Sequence, residues 1–202
     1  MQEMIISFME SFGYFGVMAL IAIENIFPPI PSEVILTFGG FMTTTTKLNI
    51  FLVILFATIG SVAGAIILYF LGRLLNKDRI EKIISGKIGK VLRLKKADIE
   101  KADHWFDTKG YYTVFFCRFI PVVRSLISIP AGMSEMPFLK FIAFTIVGSL
   151  IWNTVLIVLG AVMGNNWHKI VEFIGIYSKF ILLILIILFI IGMAYFYKKK
   201  KK

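Results

Sequence analysis

The sequence predicts an all-α integral membrane protein, and its composition, its long apolar stretches and its placement of charge support this fold class. Of its 202 residues, 58% are hydrophobic, and its mean hydropathy is +0.84. In soluble domains only about 45–50% of residues are apolar. We expect a single membrane domain over residues 1–202, because the apolar stretches leave no room for a second domain.

Four apolar stretches are long enough to cross a bilayer as helices. They lie at residues 4–23, 48–72, 138–164 and 173–197. At about 1.5 Å per residue, a helix of this length can cross a hydrocarbon core roughly 30 Å thick. Two further apolar stretches, 24–45 and 111–135, contain prolines, which interrupt a continuous helix.

The net charge of +10 is unevenly distributed along the chain. Eleven of the 22 basic residues lie in residues 73–110, and five lysines form the tail 198–202. By the positive-inside rule, we place both segments, and with them the C-terminus, on the cytoplasmic side of the cell membrane. Residues 73–110 are predicted to include an amphipathic helix at that interface. Contact with anionic lipid explains the basic excess, so we do not expect nucleic acid as a partner.

This topology predicts that the two proline-containing stretches are re-entrant hairpins. Residues 111–135 must begin and end in the cytoplasm, because the two helices that follow already return the chain there. By the same reasoning, residues 24–45 dip in from outside. Such broken backbone is tolerated at membrane depth only where protein or a water-filled cavity satisfies it. The prolines expected at the two hairpin turns are Pro28, Pro29, Pro31, Pro121 and Pro130.

A weak internal repeat accompanies the hairpins. The segment FATIGS (56–61) resembles FTIVGS (144–149), and twelve residues after the glycine of each lies a second glycine, Gly72 or Gly160. The predicted helices run in opposite directions, so the repeat is inverted, which is typical of transporters with a site near the bilayer midplane. The alternative is that these small residues only pack membrane helices together.

The hairpins carry four charged residues of opposite sign: Glu24 and Glu33 in the first, and Arg118 and Arg124 in the second. An ionised residue inside a membrane costs about 2.5–3.5 kcal/mol and is normally paired or lines a pathway. The chain has 17 lysines and five arginines, yet both cations here are arginine, which suits bidentate phosphate contacts. We expect the arginines to bind a lipid phosphate and the glutamates to take part in proton coupling or gating. A fixed structural ion pair is the alternative.

Nothing in the sequence indicates an enzyme, a metal site or a cofactor. Cys117 is the only cysteine, and His104 and His168 lie far apart, so no metal-ligand spacing is present. A lipid phosphatase would need a nucleophile with a nearby base, or a metal cluster. Ser125 and Ser128 lie near the arginines, but no histidine shares their segment.

The two hairpin stretches resemble motifs of the DedA family of bacterial membrane proteins, which is related to the eukaryotic VTT-domain proteins. ENIFPPIPSE, from residue 24, resembles its acidic, proline-rich motif, and FFCRFIPVVRSLISIPAGMSEMPFLKF, from residue 115, resembles its second motif. The resemblance covers about residues 10–165. It implies that the family's essential acidic pair falls on Glu24 and Glu33, and its essential arginine pair on Arg118 and Arg124. Many members carry Asp where this chain has Glu33.

The resemblance implies two facing hairpins in a lipid transporter or scramblase that is linked to the proton motive force. It favours a flippase that moves undecaprenyl phosphate between leaflets of the cytoplasmic membrane and so recycles this carrier lipid for cell-wall synthesis. The alternatives are a scramblase of phosphatidylethanolamine or general phospholipids, and a proton- or ion-coupled antiporter. The expected partners are a phospholipid or polyprenyl phosphate and protons, and a homodimer is compatible with this expectation.

Overall fold

The structure, a computed structural model, describes residues 2–27, 31–74, 110–121 and 123–199. Across these ranges the regular elements are helices and no strand is formed, so the predicted all-α class is confirmed there. Three predicted features lie wholly or largely outside the described ranges: most of the amphipathic segment 73–110, Pro28 and Pro29, and the end of the lysine tail at 200–202.

Eight α-helices and one 3₁₀ turn make up the described ranges. They are α1 (Gln2–Ile26), α2 (Ser32–Thr45), α3 (Ile50–Leu74), α4 (Tyr111–Cys117), α5 (Val123–Leu126), α6 (Ser128–Met133), α7 (Phe138–Met163), the 3₁₀ turn Gly164–Asn166 and α8 (His168–Lys199). Among the described residues, three helical stretches are long and apolar enough to cross a membrane: Glu3–Ile26, Ile50–Leu74 and Phe138–Asn166. Helix α8 contains the fourth predicted span, 173–197.

Helix α1 changes direction at Gly13, whose φ of 53° and ψ of −124° are not helical. Glycine adopts such a positive φ readily because it has no Cβ. The predicted span at 4–23 lies within α1, which bends at this glycine. The helix also continues through Glu24 to Ile26, where the sequence predicts the beginning of a hairpin.

The second arm of α1, residues 14–26, runs parallel to α3. Gly60 of α3 faces the backbone of Met18, and one turn further on Gly64 faces Ala22, so positions on both helices increase together. At the end of this helix pair where α3 begins, the Asn49 backbone N–H donates to the Tyr14 hydroxyl at 2.7 Å. Helix α2 then leads the chain back towards the beginning of α3.

The second half repeats this arrangement with α4 and α7. The ring of Tyr112 lies 6.1 Å from that of Phe144, and Gly148, one turn further along α7, faces the side chain of Arg118. Helix α4 therefore runs parallel to α7. Helices α3 and α7 are themselves antiparallel, because Tyr69 near the end of α3 stacks on Phe141 near the beginning of α7. Residues 14–26 and α4 therefore begin at opposite ends of the α3–α7 pair.

The short helix of each half crosses the long helix of the other half at backbone contact. In the first crossing, Gly40 of α2 faces the Ile157 carbonyl of α7, and Gly160 of α7 faces the Thr37 carbonyl of α2. A Cβ at either glycine would collide with that carbonyl. Glycine on both helices therefore allows the two backbones to come into contact at the first crossing.

The second crossing has the same pattern between α6 and α3. Gly132 of α6 faces the Tyr69 carbonyl of α3, and Gly72 of α3 faces the Ile129 carbonyl of α6. Gly72 and Gly160 are the later glycines of the two sequence repeats. Each crossing therefore joins a short helix and a long helix through one glycine on either helix.

Candidate functional site

Arg118 lies at the C-terminal end of α4 and points into the protein. Its side chain is 2% exposed. Its Nη2 donates to the hydroxyls of Ser128 on α6 and Thr145 on α7, each at 3.0 Å. Within the described ranges no carboxylate forms an ion pair with Arg118, and its buried Nε has no hydrogen-bond partner. This guanidinium is held by neutral groups and keeps a free donor.

The stem of Arg118 is fixed by packing as well as by hydrogen bonds. A Cβ added at Gly148 would lie 2.9 Å from the Arg118 Cβ and 3.0 Å from its Cγ, so only glycine leaves room for the stem. The guanidinium carbon lies 5.9 Å from the centroid of the Phe141 ring, within the range of cation–π attraction. Packing therefore fixes the position of the Arg118 charge, although no acid among the described residues forms an ion pair with it.

Arg124, in the short helix α5, forms an ion pair with Glu24 in the last turn of α1. The Arg124 Nη2 donates to the Glu24 Oε2 at 2.5 Å. Both side chains are buried, and the Nε of Arg124 has no partner among the described residues. The two predicted motifs therefore meet, and one of the two predicted arginines is neutralised by one of the two predicted acids.

Glu33 takes a different position from Glu24. It lies in the first turn of α2, half-buried, and no ion pair to it occurs in the described part of the chain. It is close enough to Glu24 for the two charges to interact. Arg118 likewise interacts electrostatically with Arg124 and with Glu24. Among the four charged groups, the ion pair found in the described residues is that of Glu24 with Arg124.

The prolines occupy three kinds of position. Pro31 precedes the first residue of α2, and Pro121 lies in the turn between α4 and α5. Pro130 differs from the prediction, because it lies in the first turn of α6, where the missing N–H of proline costs no helical hydrogen bond. Pro28 and Pro29 lie outside the described ranges.

Sequence reasoning missed the hydroxyls that hold Arg118. In the sequence, Ser128 stands out only as a possible nucleophile and Thr145 only as part of a repeated segment of small residues. One sequence feature did mark Thr145, because it lies in the repeated segment FTIVGS, three residues before Gly148. Its side-chain direction, however, depends on how α4 packs against α7, which no local pattern reports.

The site offers free hydrogen-bond donors. Of its two arginines, Arg124 is paired with an acid, whereas Arg118 has no ion-pair partner among the described residues. Free guanidinium N–H groups at Arg118 and Arg124 are suited to an anion with several acceptor oxygens, such as a phosphate. Among the described residues no group of three or more His, Cys, Asp or Glu side chains could hold a metal ion. The arrangement can therefore bind an anion in a water-poor environment by charge-assisted hydrogen bonds.

Comparison with known proteins gives a consistent family. Residues 30–162 match the model of the VTT domain. Undecaprenyl phosphate transporter A of Staphylococcus aureus is 39% identical over 100% of this chain and 98% of its own length. The protein of that name from Bacillus subtilis is 33% identical, over 97% of this chain and 93% of its own length.

A relative from Lactococcus lactis subsp. lactis is 60% identical over 99% of this chain and 94% of its own length, and it is named an alkaline phosphatase-like protein. Protein DedA of Escherichia coli is 28% identical over 62% of this chain. No solved structure matches the chain. The family match covers more than half of the chain and includes Glu33, Arg118 and Arg124, and with its apolar helices the chain is a multi-pass membrane protein that belongs to the VTT-domain (DedA) family.

Proposed function

We propose that this protein is a lipid translocase that moves undecaprenyl phosphate between the leaflets of the cytoplasmic membrane. The observation that carries the proposal is the state of Arg118, which is 2% exposed and has no ion-pair partner among the described residues. An uncompensated buried charge is strongly unfavourable. A phosphate that enters the site would neutralise it, and the unpartnered Nε would gain an acceptor.

The names of two full-length relatives, at 39% and 33% identity, support undecaprenyl phosphate as the substrate. A lipid also suits the surroundings of the site. Phe116 on α4 and Leu126 on α5 are exposed apolar side chains close in sequence to the two arginines. The phosphate can bind the buried guanidinium while the prenyl chain stays against apolar protein or lipid.

The proposed transport mechanism places the site between two re-entrant hairpins of an inverted repeat. The first hairpin would comprise the second arm of α1 with α2, entering from outside, and the second would comprise α4 to α6, entering from the cytoplasm. Two features support this arrangement: the arms run along α3 and α7 from opposite ends, and the glycine crossings repeat the same pattern. Such a repeat can expose one central site alternately to the two leaflets.

Proton coupling is proposed to act through Glu24 and Glu33. With Glu24 ionised, its pair with Arg124 joins the two hairpins and leaves one arginine for the lipid. Protonation of Glu24 would free Arg124 to bind the phosphate as well. Glu33 lies near Glu24. We therefore propose that the charge of Glu33 controls when Glu24 releases Arg124.

Transport in proteoliposomes tests the proposal. Purified protein is reconstituted, and movement of labelled undecaprenyl phosphate to the opposite leaflet is measured for wild type, Arg118→Lys and Arg73→Lys. Arg73 is the matched control, since its side chain is exposed at the end of α3. We expect Arg118→Lys to lower transport about tenfold or more, because one charge-assisted hydrogen bond contributes about 1.5–3 kcal/mol and about 1.4 kcal/mol is a factor of ten.

The alternatives give different results in the same assay. Equal movement of phosphatidylethanolamine and undecaprenyl phosphate would identify a general scramblase. Cation or proton flux without lipid movement would identify an antiporter. Normal transport by Arg118→Lys would remove the phosphate-binding role of that residue.

The name of the Lactococcus relative suggests phosphatase activity, which the described site does not favour. Phosphate ester hydrolysis needs an activated nucleophile or a metal cluster. Ser128 is engaged as the acceptor of the Arg118 hydrogen bond, and no cluster of metal ligands occurs in the part of the chain that the structure describes. Release of inorganic phosphate from undecaprenyl phosphate by the purified protein would contradict the assignment to transport.

A further inference from the structure

A second polar cluster lies inside the protein, away from the four charged residues. Asn153 of α7 is 0% exposed, and its Nδ2 donates to the Thr58 hydroxyl at 3.3 Å and to the Ser61 hydroxyl at 3.2 Å, both on α3. The three side chains lie where the two long antiparallel helices pack together. Ala57 and Leu156, nearby on the same two helices, are buried apolar residues.

The hydrogen bonds of this cluster are incomplete. The Oδ1 of Asn153 is buried and has no partner among the described residues. The Thr58 hydroxyl donates to the Ile54 carbonyl at 2.8 Å. The Ser61 hydroxyl accepts from Asn153, but no acceptor for its own proton occurs in the described ranges. One acceptor and one donor are therefore left over on neighbouring side chains.

A water molecule has the chemistry that completes the cluster. It can donate to the Asn153 Oδ1 and accept from the Ser61 hydroxyl, and buried waters typically make two to four such bonds. A metal cation fits less well, because the Asn153 amide hydrogens already point at both hydroxyl oxygens. An empty apolar void would leave a buried acceptor unsatisfied, which is unfavourable.

Polar residues on α7 connect this cluster to Arg118. Ser149 lies one turn from Asn153 and Thr145 lies one turn further, and both are buried. Each turn advances about 6 Å, and Thr145 accepts a hydrogen bond from the Arg118 Nη2. The row Thr145, Ser149 and Asn153 therefore extends from the arginine towards the end of the helix pair at which α3 begins.

We propose that Asn153 and Ser61 form a buried hydration site, and that the row from Asn153 to Thr145 connects this water to the Arg118 site. The role in transport rests on the proposed function, whereas the water site itself does not. Thr58 completes the cluster by holding the Asn153 amide. The occupant is water.

Cysteine accessibility tests the site. In a Cys117→Ser background, Ser61→Cys and Ala57→Cys are compared in proteoliposomes for modification by 2-aminoethyl methanethiosulfonate added outside the vesicles. Ala57 is the matched control, because it lies one turn away on α3 and is equally buried. Thiols react as thiolates, which form in water and not in an apolar environment. We expect the Ser61→Cys protein to react at least about tenfold faster.

A third change removes the polar group that would hold the water. Asn153→Leu should lower the reaction rate of the Ser61→Cys protein to that of Ala57→Cys. Equal rates at positions 57 and 61, or a Ser61→Cys rate that does not respond to Asn153→Leu, would overturn the proposal. If Ser61→Cys fails to fold, Thr58→Cys replaces it with the same expectations.

The same assay separates this inference from the proposed function. Arg118→Lys is expected to lose lipid transport but to keep rapid modification of the Ser61→Cys protein. If wild type moves no undecaprenyl phosphate while Ser61→Cys is still modified rapidly, the proposed function fails and the hydration site stands. If transport is normal and Ser61→Cys is no more reactive than Ala57→Cys, the hydration site fails alone.

Discussion

Arg124 and Glu24 form a buried ion pair that joins α5 to the last turn of α1 across a separation of 100 residues. Arg118, six positions before Arg124 in the sequence, is equally buried but is held by two hydroxyls. The two arginines of one motif thus have different partners. Under the proposed function, this difference corresponds to separate roles, in which Arg118 binds the anion and Arg124 becomes available when Glu24 releases it.

The ion pair predicts a strong effect of removing one partner. Glu24→Gln leaves the Arg124 charge buried without compensation, so we expect the free energy of unfolding to fall by about 3–5 kcal/mol. The double variant Glu24→Gln/Arg124→Gln should regain most of that stability. Thermal unfolding of the purified protein in detergent measures both.

Glu33→Gln is the matched control for this experiment, since no ion pair to Glu33 occurs among the described residues. It should change stability by no more than about 0.5 kcal/mol. If Glu24→Gln proves as harmless as Glu33→Gln, the pair does not hold the hairpins together.

The hydroxyl at Thr145 should matter for the position of Arg118. Thr145→Val keeps the shape of the side chain but leaves a buried guanidinium N–H unsatisfied, and we expect a loss of about 1–3 kcal/mol in stability together with reduced lipid transport. Thr145→Ser should retain both. Thr44→Val is a suitable control, because that exposed threonine bonds only to the Phe41 carbonyl of its own helix. Equal behaviour of Thr145→Val and Thr44→Val would contradict the assignment.

The glycine crossings predict paired effects in the two halves. Gly160→Ala places a Cβ against the Thr37 carbonyl, and Gly72→Ala places one against the Ile129 carbonyl, so each should destabilise the fold by about 1–3 kcal/mol or more. Gly175→Ala is the control, because no atom lies within 4 Å of its added Cβ. It should be neutral or stabilising by about 0.5–1 kcal/mol, since alanine is the better helix former. Thermal unfolding of the three variants decides whether the crossings are as close as described.

Glu135 offers a stabilising change. Its φ is 52°, in the region that glycine adopts without strain, and it follows α6 with Met136 N–H donating to the Ala131 carbonyl at 3.1 Å. This is the helix ending in which glycine is usual. Glu135→Gly should raise stability by about 1 kcal/mol, because the left-handed conformation costs other residues roughly 1–2 kcal/mol. A lower melting temperature for Glu135→Gly would indicate that its carboxylate contributes more than its backbone costs.

Sequence patterns predict the long helices of this protein well, because membrane spans are defined by hydrophobic length alone. The ends of α3 and α7 lie within two residues of the predicted spans. Local patterns predict the bend at Gly13 poorly, since one glycine in an apolar helix is more often a packing residue. They also end the first helix at residue 23, whereas α1 continues past Glu24 to Ile26.

The charged residues of the site could be identified from the sequence, because ionised groups are rare in apolar stretches. Which acid contacts which arginine could not, since Glu24 and Glu33 have the same chemistry and similar surroundings in sequence. The choice depends on the direction of α1 after Gly13 and on where α5 lies. The same holds for Asn153, whose partners on α3 are brought to it only by the packing of the two long helices.

Binding of undecaprenyl phosphate compared with the uncharged alcohol undecaprenol is the most direct test of the central claim, that Arg118 binds the phosphate. Native mass spectrometry of detergent-solubilised wild type, Arg118→Gln and Arg73→Gln would report each affinity. We predict that wild type and Arg73→Gln prefer the phosphate by at least about tenfold, and that Arg118→Gln loses this preference. An unchanged preference in Arg118→Gln would contradict the claim.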